Sequence, residues 1–146
     1  MLDQVIKNLF QRVQHVGSTA TCNPAPTDTD EDWLCFCEDL DEIKYKLGDL
    51  GWKNEETKYA KLPDFISFRK RDKNLIVTSE KWFYNNFILA SLVAKKLNLL
   101  KKEDRLDLFH AIIYNKSPYG EKSKKYFLDT FLKKSPMFED DDGPPY

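Results

Sequence analysis

The stretch HVGSTATCNPAPTDTDEDWLCF, residues 15–36, decides the fold. It places a Gly-Ser pair, Gly17 and Ser18, a short loop ahead of a group of acids that runs directly into an apolar strand. Crowded carboxylates repel one another and lose solvation beside a core, so the arrangement costs stability unless a positive charge lies there. The pattern therefore favours a bound divalent cation.

Four acids lie in this stretch: Asp28, Asp30, Glu31 and Asp32. Side chains two apart in a strand share a face, so Asp30 and Asp32 should point the same way. Two carboxylates at the mouth of a sheet suit Mg²⁺, which prefers hard oxygen ligands and keeps part of its coordination for water and phosphate. Asp28 and Asp30 form a competing register, but Asp32 adjoins the apolar run, and this favours the later pair.

The Gly-Ser pair completes the pattern. Gly17 allows a close backbone approach, and Ser18 adds a hydroxyl and an amide that suit a phosphate oxygen. Two simpler interpretations stay open. The acids could form a solvated loop in which Asp side chains bond backbone amides, and the Gly-Ser pair could be a plain turn.

The composition limits the class of protein. At 146 residues the chain is about one domain. Its charged fraction of 32% and aromatic fraction of 14%, with a net charge of -1, exclude a wholly disordered chain and give no global attraction to nucleic acid. Residues 1–13 carry polar side chains throughout, which predicts neither a signal peptide nor a membrane partner.

The three cysteines are Cys22, Cys35 and Cys37. Cys35 and Cys37 should share one face of a strand, where they are poorly placed for a mutual disulfide, and no His/Cys cluster completes a zinc site. We therefore expect buried free thiols and a reducing cytoplasm.

Hydrophobic periodicity predicts the first half of the chain as follows. A helix occupies the first dozen residues, with an extended piece over Val13–Val16, and a loop covers Thr19–Thr29. A strand then runs through DWLCFC, residues 32–37, and a helix follows over 39–52, capped by Asp39 or Asp41 and ended by Gly51.

The second half is predicted as a hairpin followed by helices. DFISFRKRDKNLIVTS, residues 64–79, reads as two strands around a turn near Arg71-Asp72. A buried helix follows Ser79, and two amphipathic helices cover 102–115 and 121–134. The fold class is α+β, with a small mixed sheet and packed helices in a single domain over 1–136. Residues 1–79 form its sheet part, 80–136 form its helical part, and 137–146 form an acidic mobile tail.

The stretch over residues 15–36 resembles the motif of the nucleotidyltransferase superfamily, which is an apolar residue, Gly, Gly or Ser, a gap of about ten residues, then Asp, any residue, Asp or Glu, and a strand. The matching residues are Val16, Gly17 and Ser18, then Asp30, Glu31 and Asp32 with the strand that follows. That superfamily includes DNA polymerase beta, the aminoglycoside nucleotidyltransferases and small antitoxin-type nucleotidyltransferases. The resemblance extends loosely from Met1 to about Leu100. Residues 73–109 look like the hairpin and helical part of small nucleotidyltransferase-like proteins encoded by bacteriophages.

The resemblance implies a minimal nucleotidyltransferase fold with a helical C-terminal extension. It also implies Mg²⁺- or Mn²⁺-dependent transfer of a nucleotidyl group from a nucleoside triphosphate to a hydroxyl of a protein, a nucleic acid such as RNA, or a small molecule. Asp30 and Asp32 would be the catalytic metal ligands, while Gly17 and Ser18 would hold the triphosphate. Two ions would activate the nucleophile and neutralise developing charge.

The third carboxylate of the family lies on a later strand, where this chain has Asn74, with Asp72 two residues earlier. Either residue is the candidate third metal ligand, but an Asn carbonyl is neutral and a poor general base. Arg69 and Arg71 of the basic run are candidates for nucleotide binding, since Arg forms bidentate phosphate contacts. A solvated hairpin tip is the alternative for this run.

The alternative function belongs to another class. The chain would be a catalytically degenerate nucleotidyltransferase-fold binding protein, for example a phage protein that inhibits or modulates a host factor in the host cytoplasm. Its partner would then be a host protein, bound through the same cleft or through the basic hairpin.

Overall fold

The computed structural model describes residues 2–27, 29–55 and 65–114. A five-stranded sheet and several helices make up the described residues. In chain order the elements are α1 (Gln4–Lys7), β1 (Arg12–Val16), α2 (Ser18–Thr21), β2 (Glu31–Phe36), α3 (Leu40–Asp49), β3 (Lys53–Glu55), β4 (Ile66–Lys70), β5 (Lys73–Thr78), α4 (Lys81–Leu97) and α5 (Lys102–Tyr114).

The strands follow the order β1-β2-β5-β4-β3 across the sheet. β2 and β5 pair in parallel, and every other neighbouring pair is antiparallel. The parallel pair requires a crossover, which α3, β3 and β4 supply between the two strands. The predicted α+β class with a small mixed sheet is therefore confirmed.

One face of the sheet carries the main core, and we call it the core face. It presents Trp33 and Cys35 from β2, Leu75 and Val77 from β5, and Phe68 from β4, all buried. These side chains alternate along their strands, so β2 turns every second residue toward this core. The helical side chains that pack in the same cluster are Ile6 from α1 with Ile43 and Leu47 from α3.

Local chemistry explains the ends of α3. The Asp39 carboxylate accepts a hydrogen bond from the backbone N–H of Glu42 at 3.1 Å, which satisfies one of the free donors of the first turn. Gly51 follows the helix with a φ of 86°, in the left-handed region that glycine adopts without strain. Both the cap and the stop agree with the sequence-based prediction.

The hairpin also agrees with prediction, because β4 and β5 are joined by the turn at Arg71 and Asp72. Three other segments differ from prediction. The N-terminal helix ends at Lys7, and the chain then turns so that Phe10 enters the core. The apolar residues beyond Lys7 that have helical spacing, Leu9, Phe10 and Val13, therefore lie in a turn and in strand β1, from which they pack on the core. The predicted loop contains the short helix α2, and the strand β3 was not predicted.

The chain divides into two compact units. The first contains the residues up to Thr19 together with Thr27–Tyr84, and so the whole sheet. Of the described residues, the second contains Ala20–Pro26 together with those from Asn85 to Tyr114. The predicted single domain over 1–136, with parts 1–79 and 80–136, stays a prediction.

The second unit is organised by α4 and α5. Leu108, Ala111 and Ile112 of α5 are buried, in agreement with the predicted amphipathic helix. Arg105 donates hydrogen bonds to the carbonyls of Leu99 and Leu100 at 3.0 and 2.8 Å, which ties the start of α5 to the end of the preceding connection. Among the described residues, no helix has the length and apolar character needed to cross a membrane.

All three cysteines are free thiols and buried, as predicted. Burial raises the pKa of the Cys37 thiol to about 11, with the nearby Asp39 carboxylate adding to the effect. The predicted helix over 121–134, the acidic tail over 137–146 and Asp28 lie outside the described residues.

Candidate functional site

A transverse row of side chains crosses the sheet on the face opposite the core face, and we call this the site face. Val16 of β1 pairs with Asp32 of β2, and Asp32 pairs with Asn74 of β5. Asn74 in turn pairs with Arg69 of β4. Residues paired across neighbouring strands share a face. The row therefore brings an acid, an amide and a guanidinium together from three strands.

Gly17 lies directly against the Asp32 carboxylate. It follows β1 with a φ of 76°, and a Cβ built on it would overlap Asp32 Oδ2 and stand 3.0 Å from Asp32 Cγ. Both the backbone angle and the missing side chain are therefore required at this position. Ser18 follows at the start of α2 and is half-buried. The Gly-Ser bend and Asp32, separated in sequence, form one site.

A short chain of hydrogen bonds leads to Asp32. Asn74 Nδ2 donates to Asp32 Oδ1 at 3.1 Å, and Ser67 Oγ donates to Asn74 Oδ1 at 2.7 Å. Ser67 is buried, which fixes its hydroxyl under the amide. The Asn74 side-chain oxygen therefore accepts from Ser67, while the Asn74 NH₂ group donates to the Asp32 carboxylate.

Asp30 and Glu55 share one guanidinium. Arg69 Nη1 forms an ion pair with Asp30 Oδ2, and Arg69 Nε donates to Glu55 Oε2 at 3.0 Å. The hydrogen bond to Glu55 and then that to Asp30 raise the pKa of Arg69. All three side chains are about one-third exposed, at 33–37%. The triad is therefore charge-compensated and still reachable from solvent.

The core face carries a separate polar group at the same end of the sheet. Glu31 accepts a hydrogen bond from Trp33 Nε1 at 2.7 Å and pairs with the Lys73 ammonium at 3.3 Å. Partial burial acts to raise the pKa of Glu31, but the Trp33 hydrogen bond and Lys73 outweigh it, and the pKa is lowered. His15 stacks on Trp33 with ring centroids 4.8 Å apart, and burial lowers the pKa of His15.

The two candidates for the third metal ligand have different positions. Asn74 lies beside Asp32 on the site face. Asp72 lies in the hairpin turn, where its side chain is 75% exposed and 4.0 Å from Lys73, and its backbone carbonyl accepts from the N–H of Glu31 at 2.8 Å. Arg71 is exposed in the same turn with a φ of 57°. Of these three, the structure brings only Asn74 into the site.

Two residues of the site were missed by sequence reasoning. Ser67 could have been found, because alternation in β4 places it on the same face as Arg69. Glu55 had no usable signal, since β3 is three residues long and lacks a clear apolar alternation. Its position depends on the pairing of β3 with β4, which local sequence does not encode.

The donors of the site can be compared with what a two-ion centre needs. Arg69 already engages Asp30, and Asn74 presents an N–H donor to Asp32. No group of three His, Cys, Asp or Glu side chains that could hold a metal occurs within residues 2–27, 29–55 and 65–114. Within the described residues, both site carboxylates are thus already in contact with donors of the chain, whereas the ions of a two-metal catalytic centre are held by carboxylate oxygens.

The sequence matches no protein-family model, and no curated protein matches it. The structure is similar to that of the conserved protein GrpB from Enterococcus faecalis, with a TM-score of 0.50 and 16% sequence identity. The similarity covers 88% of this chain and 87% of that chain. At this identity the likeness shows the fold alone. The described residues have the predicted α+β architecture with a mixed five-stranded sheet.

Proposed function

We propose that this chain is a nucleotidyltransferase-fold protein that binds a nucleoside triphosphate on the site face and does not transfer a nucleotidyl group. The hydrogen bond from Asn74 Nδ2 to Asp32 Oδ1 is the observation that carries the proposal. It puts a neutral amide donor at the strand position where the resembled family has its third carboxylate.

An amide at this position changes the chemistry of the site in two ways. Asn74 brings no negative charge, so it does not add to the attraction for a second cation. It also cannot accept a proton from an attacking hydroxyl at neutral pH, so the site has no general base there. The amide instead stabilises the folded site, because a donor to Asp32 replaces the repulsion that a second carboxylate would bring.

The binding part of the proposal rests on the surroundings of Asp32. Gly17 packs against the carboxylate, and Ser18 follows with a hydroxyl that suits a phosphate oxygen. Arg69 lies two strands away in the same row and is partly exposed. A guanidinium has five N–H donors, more than the two that contact Asp30 and Glu55, and a charge-assisted contact to a phosphate oxygen is stronger than a neutral hydrogen bond. The ligand phosphates would lie between the bend and Arg69.

Thermal unfolding tests this function. The melting temperature is measured with each of the four nucleoside triphosphates, once in EDTA and once in excess Mg²⁺. A ligand that binds only the folded chain raises the melting temperature by mass action. We expect one nucleotide or more to raise it in EDTA. A shift that needs Mg²⁺ and is lost in Asp32→Asn would contradict the proposal.

A second candidate is Mg²⁺- or Mn²⁺-dependent transfer of a nucleotidyl group to a protein, nucleic acid or small-molecule hydroxyl. The observation in its favour is the contact of Gly17 with Asp32, which joins the two halves of the motif. Release of pyrophosphate that depends on both Mg²⁺ and Asp32 would support this candidate. If no nucleotide shifts the melting temperature at all, the proposal fails, and the alternative of a host-protein partner would be tested by affinity capture.

A further inference from the structure

We infer that Arg69 is the built-in cation of the acidic cluster and takes the place of a divalent metal between Asp30 and Glu55. The inference deepens the proposed function and rests on it, because a site that carries its own cation binds without metal-assisted transfer. It also assigns a role to Glu55.

The geometry of the triad supports this inference. Asp30 precedes β2, Glu55 ends β3, and Arg69 lies in β4, so three separate segments converge. The two carboxylates contact different nitrogens of one guanidinium, Nη1 and Nε. A planar guanidinium presents several N–H donors at fixed angles and can hold two carboxylates at once. Lysine has a single charged nitrogen and lacks this geometry.

The charges of the cluster support it as well. Asp30 and Glu55 each bring a negative charge to the same guanidinium, and a divalent cation would be the usual way to hold two such groups together. Arg69 supplies the bridging positive charge, and Asn74 supplies a donor to Asp32. Asp30, Asp32 and Glu55 thus each contact a donor of the chain itself.

Removal of the Arg69 guanidinium should change how the site responds to metal. Without Arg69, Asp30 and Glu55 would lose the positive charge that both of them contact. Repulsion would lower the stability of the folded state, and the gap would become suited to a hard divalent cation with carboxylate ligands. Wild-type protein should be insensitive to divalent metal, and the variant should become dependent on it.

The test is thermal unfolding of Arg69→Gln in EDTA, in MgCl₂ and in MnCl₂, without nucleotide. In EDTA we expect the variant to melt about 2–5 °C below wild type, as for partly exposed ion pairs in a chain of this size. Added metal should recover part of that loss. Wild type should melt at the same temperature in all three solutions.

Arg71→Gln is the matched control, because it removes the same charge from the same hairpin at an exposed turn residue. It should behave as wild type in all three solutions. In Arg69→Gln combined with Asp30→Asn, the gain from metal should disappear. If Arg69→Gln does not fold, Arg69→Lys replaces it, with a smaller loss and a smaller gain from metal.

Two results would overturn the inference. Wild type could be stabilised by Mg²⁺ as strongly as Arg69→Gln, which would place a metal there alongside Arg69. Alternatively, both Arg69 variants could show no gain from metal. Because no nucleotide is present, these outcomes are separate from the failure of the proposed function, which is judged by nucleotide binding in EDTA.

Discussion

Glu31 and Asp32 are neighbours in β2, yet they lie on opposite faces of the sheet in different surroundings. On the core face, Glu31 is held by a Lys73 ion pair and a Trp33 hydrogen bond. On the site face, Asp32 accepts a hydrogen bond from the Asn74 amide, and the backbone bend at Gly17 packs against its carboxylate. The first arrangement is typical of a charge that is paired beside a core. The second is typical of a site where a carboxylate is kept accessible.

The difference shows that strand pairing decides the role of an acidic residue in β2. It determines whether the carboxylate is paired beside the core, as in Glu31, or lies on the site face, as in Asp32. The parallel register pairs Glu31 with Lys73 and Asp32 with Asn74. A shift of one residue would pair Glu31 with Asn74 or Asp32 with Lys73, so at least one of the two acids would lose its partner. The predictions that follow are ordered by expected effect, and each one tests one side of this contrast.

Gly17→Ala should have the largest effect, because the new Cβ would overlap the Asp32 carboxylate at a positive φ. We expect a loss of about 1–3 kcal/mol in the free energy of unfolding. Urea denaturation measures it. Gly48→Ala is the control, because its Cβ would meet no atom within 4 Å in helix α3, and it should stabilise the chain by about 0.5–1 kcal/mol.

The cause of the Gly17 effect can be separated into two parts. Combining Gly17→Ala with Asp32→Ala removes the overlap with the carboxylate, while the Asp32 Cβ at 3.0 Å and the positive φ remain. We expect the double variant to be more stable than the sum of the two single effects predicts, which is the sign of direct coupling. Simple additivity would show that Gly17 does not pack on the carboxylate.

Asn74→Asp should have the next largest effect, because it replaces the donor to Asp32 with a second carboxylate. We expect a loss of about 1–2 kcal/mol at neutral pH. Like-charge repulsion raises one carboxyl pKa above its unfolded value, so the loss grows as pH rises through that pKa and shrinks in acid. Unfolding at several pH values measures this.

The control for this prediction is Asn54→Asp, the same substitution at an exposed position of β3. It should leave the free energy of unfolding nearly unchanged. Added Mg²⁺ should restore stability to Asn74→Asp and not to Asn54→Asp. Equal behaviour of the two variants would mean that Asn74 has no close relation to Asp32.

Glu31→Gln should have a smaller effect, about 0.2–1 kcal/mol, because the Lys73 pair is partly exposed. The pKa of Glu31 is lowered from 4.5, so its stabilising contribution is present above that pH and lost as pH falls through the folded-state pKa. Wild type and variant should therefore converge in acid. A constant difference down to low pH would show that the charge of Glu31 is not the cause.

His15→Gln should have the smallest effect, which appears as a change in pH dependence. Burial lowers the pKa of His15 below 6.5, so protonation favours the unfolded chain. Its contribution to stability is complete above 6.5 and is lost as pH falls through the folded-state pKa. Wild type should lose stability over this window, and the variant should lose less. Parallel curves would contradict this assignment.

Local features of the fold were predictable from sequence. The cap at Asp39, the stop at Gly51 and the turn at Arg71-Asp72 each depend on residues that are close in the chain. Alternation along the predicted strand also put Asp32 and the apolar Leu34 on one face.

Non-local features were not predictable. The pairing of Asp32 with Asn74 joins residues 42 apart in sequence, and the contact of Arg69 with Glu55 depends on an unpredicted strand. Sequence reasoning proposed Asp30 as a metal ligand and Arg69 as a phosphate ligand without a sign that the two side chains pair. Such partners follow from strand order and register, which local propensity does not determine.

The central claim is that the site face binds a nucleotide without a metal-assisted reaction, and calorimetric titration tests it most directly. Each nucleoside triphosphate is titrated into wild-type protein in EDTA and in MgCl₂, with Asp32→Asn in parallel. The account predicts that a nucleotide binds in EDTA with an affinity comparable to that in MgCl₂. Binding that requires Mg²⁺ and disappears in Asp32→Asn would contradict it.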